Sequence, residues 1–178
     1  MVRDPFPPPS GPATLGLVVG ATLLLRSELT HGLLAAVVDG FDLVVHEAGH
    51  PVFGLLGSRF LMSLGGTLGQ LALPVAAALA FGRRRQPASF AVALVWIGLN
   101  LVNIGTYAAD GEDRLLPLLG ADASGHDWWN MLGALGLRHR ARFIGGAIAA
   151  AGWALQGLAP CWLVARWLGP RLGAQRPG

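Results

Sequence analysis

Charge is what this chain has least of. Only 13% of its 178 residues are Asp, Glu, Lys or Arg, against roughly 25% in a soluble domain. That is too little to cover a water-exposed surface of this size. Hydrophobic residues make up 53%, and the mean hydropathy is +0.52, so one integral membrane domain is expected. Lysine is missing, and the formal net charge of +3 rests on 13 arginines. These gather at the ends of apolar runs, where they read as topology signals rather than a phosphate-binding surface, and nucleic acid is excluded as a partner. The single cysteine, Cys161, excludes an intramolecular disulfide framework and a cysteine-based zinc site. The N-terminus has no basic region followed by a small-residue cleavage pattern, so the first apolar run is expected to be retained.

Apolar runs of about 20 residues, divided at charges and helix breakers, predict a polytopic all-α bundle of about five transmembrane helices. They fall at 14–29, 31–56, 60–81, 89–109 and 143–168. Residues 1–12 hold five prolines and are expected to be an irregular arm. Residues 13–169 form the membrane domain, with a loop at 111–142, and 170–178 a polar tail. Arg83, Arg84 and Arg85 followed by Pro87 mark the clearest loop, which the positive-inside rule puts in the cytoplasm. Five alternating crossings then place the C-terminal tail inside and the N-terminal arm outside. The same count puts the basic stretch Arg138 to Arg142 outside. A compact chain rich in Ala, Gly, Leu and Arg fits the inner membrane of a GC-rich bacterium.

Inside the second run lies His46-Glu47-Ala48-Gly49-His50, an H-E-x-x-H motif. Two histidines four residues apart share one helix face with the glutamate beside them. A catalytic zinc takes three protein ligands and leaves a fourth position for water. Glu47 is then the general base, and the third ligand must come from elsewhere. Chance placement of such residues in a membrane span is disfavoured by roughly a few kcal/mol. Ligating histidines donate their other ring nitrogen to an oxygen acceptor, and Asp42, one turn before His46, is the expected partner or proton relay, with Asp39 a turn further down.

The fourth run offers Asn100, Asn103, Tyr107 and Asp110 at i, i+3, i+7 and i+10, within one narrow stripe. Such a stripe should face protein, a metal or a water-filled cavity. The second and fourth runs point the same way, so Asp110 lies at the depth of the motif and is the expected third ligand. Asn103 is expected in the supporting shell, and Gly111 suits a C-cap. Interhelical hydrogen bonding is the competing reading of the stripe. The loop segment Gly125-His126-Asp127-Trp128-Trp129 supplies Asp127 and His126 as alternative third ligands, with Asp113 and Asp122 nearby. The two tryptophans suit a short interfacial helix. Gly65, Gly66 and Gly69 read as a close-packing surface, and Gln70 as a helix-to-helix hydrogen bond or a contact to substrate backbone.

On the zinc motif Val44 to His50, the Gly65 to Gln70 stretch and the Asn- and Asp-bearing fourth run, the chain resembles the site-2 protease class of intramembrane zinc metallopeptidases, the M50-type family. The resemblance covers about residues 31–112. It implies a three-helix core, Zn2+, a water-accessible intramembrane cleft, and hydrolysis of membrane-embedded or membrane-proximal peptide. The family's usual aspartate motif is missing, and only Ala109-Asp110-Gly111 stands in its place. Two other classes fit the same residues: a membrane metal-binding or transport protein, and an inactive relative serving as a subunit beside a membrane protein partner. The transport reading requires ligands along a path through the lipid, and Asp39 and Asp42 extend only part of the way.

Overall fold

The computed structural model describes residues 6–116 and 125–173. Among the described residues six α-helices follow in order: α1 (Gly11–Leu29), α2 (Leu33–Gly54), α3 (Arg59–Arg83), α4 (Pro87–Ala109), α5 (Asp127–Ala134) and α6 (Ala141–Gly173). A 3-10 turn at Arg138–Arg140 leads into α6. No strand occurs among the described residues, and the chain is the helical membrane bundle its composition implies. Local chemistry sets the helix starts. The Ser10 and Ser58 hydroxyls accept the N–H groups of Ala13 and Leu61 at 3.3 and 3.4 Å, and proline opens α4, where no intrahelical donor is needed. Arg85 takes a left-handed conformation (φ 55°) that ends the turn between α3 and α4.

Among the described residues four helices are long and apolar enough to cross a membrane: α1, α3, α4, and α6 with its leading turn. The fifth expected span, α2, is as long at 22 residues but contains Asp39, Asp42 and Glu47. Its own composition therefore does not qualify it. The helices interlock through glycine. A side chain on Gly98 would meet Gly152 O at 2.8 Å, and one on Gly105 would meet Gly145 O at 2.6 Å, so α4 and α6 pack backbone to backbone. Gly49 and Gly65 bring α2 and α3 together in the same way. Leu17, Ala91, Val95, Leu99, Ala159 and Leu163 form the buried core between α1, α4 and α6. Cys161 is exposed on α6 and unpaired.

The path of the chain differs from five alternating crossings. Phe6 packs against Phe90 at the start of α4 and Trp162 late in α6 (centroids 5.2 and 5.4 Å), and Arg166 donates to its carbonyl. Phe6 of the N-terminal arm thus lies at the same end of the bundle as the Arg83 to Arg85 turn. It was expected at the opposite end. From there α1 rises beside α6 until Leu25 and Gln156 line a common groove. Gln156 packs on Gly98, which lies midway along α4. The turn Thr30 to Gly32 follows at about this height, and α2 runs on to the end of the bundle opposite Phe6, where His50 meets Met62, so α1 and α2 together traverse the length of the bundle once.

Candidate metal centre

The two motif histidines project from the last turns of α2 toward α3, where Gly66 leaves them room. A Cβ on Gly66 would lie 2.5 Å from His46 Nε2 and 2.7 Å from His50 Cε1. The rings meet edge to face with centroids 5.0 Å apart. One ligand atom each from His46, Glu47 and His50 lies within 4.8 Å of the others, and this group can hold a metal ion.

The hydrogen bonds fix which ring nitrogens are available. His50 Nδ1 donates to the Met62 carbonyl at 2.9 Å, an obligate acceptor. His46 Nδ1 donates to Gln70 Oε1 at 3.1 Å, and Gln70 Nε2 in turn donates to Asn103 Oδ1 at 3.1 Å. Both Nε2 atoms are therefore unprotonated in the neutral rings. They converge on one oxygen, Asp127 Oδ2, at 3.2 Å from His46 and 3.3 Å from His50. Three lone pairs facing one another repel unless positive charge lies between them. A proton on one Nε2 relieves one contact and leaves the other, whereas a single cation relieves all of them. A tetrahedral shell with bonds of about 2.0–2.2 Å has neighbouring ligand atoms about 3.3–3.6 Å apart. The two histidine-to-carboxylate distances, 3.2 and 3.3 Å, fall at the short end of that range. Glu47 is exposed and enters no hydrogen bond or ion pair among the described residues. Pro51, one residue past the motif, lacks the N–H that would engage the Glu47 carbonyl.

Asp110, expected as the third ligand, is occupied elsewhere. It ends α4 as the C-cap residue, and its carboxylate accepts the N–H groups of Leu115 and Leu116 at 2.8 and 3.0 Å and His126 Nε2 at 3.2 Å. Burial raises its pKa, but these three donors outweigh burial and hold the carboxyl below the usual carboxylate range. His126 is likewise not directed at the motif. It is fully buried, its Nδ1 caps α5 by accepting the Trp129 N–H at 3.2 Å, and burial pushes its pKa down against the pull of Asp110. Asp42 is not paired with His46 either. Trp96 Nε1 and Asn100 Nδ2 donate to it at 3.2 and 2.9 Å, tying α2 to α4, because His46 turns its free nitrogen toward α3 instead. Asp39 is exposed, Asp113 pairs with Arg142 at 2.8 Å, and Asp122 lies outside the described residues.

The stripe on α4 is used in full, but for holding rather than ligating. Asn100 binds Asp42, Asn103 binds Gln70, and Tyr107 accepts the Asp127 N–H at 3.0 Å while its ring lies 4.3 Å from that of His126. Gly111 has no positive φ. It is small because a Cβ there would sit 2.9 Å from Ala108 O and 3.3 Å from Trp128 Cβ, where α5 crosses the end of α4. Trp128 and Trp129 lie in the short helix expected for them. The Met62 carbonyl escaped the sequence reading altogether, since a backbone acceptor leaves no side-chain signal.

Comparison with known proteins gives no match to any family model, any curated protein or any solved structure.

Proposed function

We propose that this chain is an intramembrane zinc metallopeptidase of the site-2 protease type, resident in a bacterial inner membrane, which hydrolyses membrane-embedded or membrane-proximal peptides. One observation carries the reading: His46 Nε2 and His50 Nε2 both lie within 3.3 Å of Asp127 Oδ2, beside a Glu47 that enters no hydrogen bond or ion pair among the described residues. Two imidazoles and a carboxylate are a donor set suited to zinc. The cradle left by Gly66 fits the same account. His46, His50 and Asp127 would hold the ion, which when bound polarises a peptide carbonyl and makes water acidic enough to attack at neutral pH.

The remaining work falls to the chain's own groups. Glu47 takes the proton of the attacking water and returns it to the departing amine. Gln70 and Met62 hold the two imidazoles in the tautomer that leaves Nε2 free. Asn103, exposed beside them and fixed through its oxygen by Gln70, keeps its amide N–H groups for a substrate carbonyl.

Elemental analysis of the detergent-purified protein should find about one zinc per chain, lost in His46→Ala and Asp127→Ala. Incubation with pooled single-span membrane peptides should give cleavage that Glu47→Gln lowers by roughly 10²–10⁴-fold with zinc retained. A wild-type protein that takes up no zinc after metal add-back, or a Glu47→Gln protein that still cleaves, overturns the assignment.

A further inference from the structure

We infer that Asp110 and His126 form a positioning pair that delivers Asp127 to the two motif histidines, so that both residues govern the metal site without touching the metal. The link to metal affinity rests on the zinc reading above; the link to α5 does not.

Asp127 stands at the first position of α5, an eight-residue helix separated from α4 by a long connection. An isolated helix of this length is not stable in water, so something else must fix its start. Two contacts do so. The Tyr107 hydroxyl holds the Asp127 N–H, and the His126 ring caps the helix through the Trp129 N–H. The cap works only if His126 Nδ1 carries no proton, since it accepts there. The proton must then reside on Nε2, and that nitrogen faces Asp110 Oδ2 at 3.2 Å. Asp110 is in turn anchored by the Leu115 and Leu116 N–H groups at the end of α4. A continuous chain thus runs from the α4 terminus through the Asp110 carboxylate and a single His126 tautomer to the helix that carries Asp127. His126 is completely buried, with its ring tilted against that of Tyr107 at a centroid distance of 4.3 Å.

The test compares Asp110→Ala, His126→Asn and the double variant with wild type, and Asp113→Ala serves as the control acidic residue nearby. Zinc affinity is read by chelator competition on the detergent-purified protein, and α5 amide hydrogen exchange is read on the metal-free protein. Each single variant should loosen zinc by roughly 10–100-fold and speed exchange in α5. The double variant should be no weaker than the weaker single, because the two residues act as one unit. Asparagine is a good helix cap, so a His126→Asn protein with wild-type affinity and exchange would reduce His126 to a cap and overturn the pairing. Additive losses would overturn it as well. Where His126→Asn does not fold, Asp110→Asn decides. Its amide group takes either the Oδ2 position, facing both the His126 Nε2–H and the Leu116 N–H, or the Oδ1 position, facing the Leu115 N–H, donor against donor in each case, so wild-type behaviour would overturn the proposal. If wild-type protein takes no zinc, the peptidase reading falls alone, and unchanged α5 exchange in the variants is then what overturns the pairing.

Discussion

Gly66 shows how much of the site depends on a missing side chain. Both imidazoles occupy the space its Cβ would fill, so Gly66→Ala must turn at least one ring away from Asp127. Overpacking of this kind costs about 1–3 kcal/mol, and zinc affinity should fall at least tenfold. Gly40→Ala on α2, where nothing lies within 4 Å, should bind zinc as wild type does. Equal affinity in the two variants, measured by chelator competition, would show that the rings have other room. The same scale explains what the sequence revealed. His46, Glu47 and His50 are legible because their geometry is local: four residues on a helix fix a shared face. Asp110 and Asp127 both lie at the right end of the bundle, and no pattern in the chain separates them. The choice is made by hydrogen bonds to Leu115, Leu116 and His126, which engage one carboxylate and leave the other to the histidines.

Among the elements, α5 is the one whose docking most directly controls the site. Besides its cap it is clasped by arginine: the Arg138 guanidinium lies 3.6 Å from the Trp129 ring centroid and its Nε donates to the Trp129 carbonyl at 3.1 Å, while Arg114 sits over the same ring at 4.8 Å. Arg138 also occupies the space beside Gly133, where any side chain would collide with it. A cation over an indole contributes about 0.5–2 kcal/mol. Arg138→Ala should therefore speed proteolytic cleavage around α5 severalfold, and Arg138→Lys should not restore protection, because an ammonium cannot both stack and hold the carbonyl in the arginine geometry. Protection equal to wild type in either variant would mean that His126 and Tyr107 hold the helix unaided. In the basic stretch, Arg138 lies against Trp129 and the exposed Arg142 pairs with Asp113, so two of its three arginines have partners in this part of the fold, which weakens the stretch as a topology signal.

For the molecule as a whole, helix identity was legible from the apolar runs, but the number of crossings was not. Runs of suitable length identify helices, and nothing in their length shows that α1 and α2 together traverse the bundle once. That follows from tertiary contacts, with Phe6 against Phe90 and Trp162 at one end and His50 against Met62 at the other. Phe6 and the last turns of α6 therefore lie at the same end of the bundle as the Arg83 to Arg85 turn. Those three arginines are exposed and enter no ion pair among the described residues, so they retain their force under the positive-inside rule. Reporters fused ahead of Phe6 and after Gly173 should both report the cytoplasm. In a protein with Cys161 replaced, a cysteine at Glu112 should react with an impermeant thiol reagent added outside, and one at Arg84 should not. Opposite readings from the two fusions would restore five full crossings and move the α1–α2 turn to the membrane surface. Agreement would place the metal centre near the outer face, with α2 reaching it from a starting point at about half the depth of the bundle.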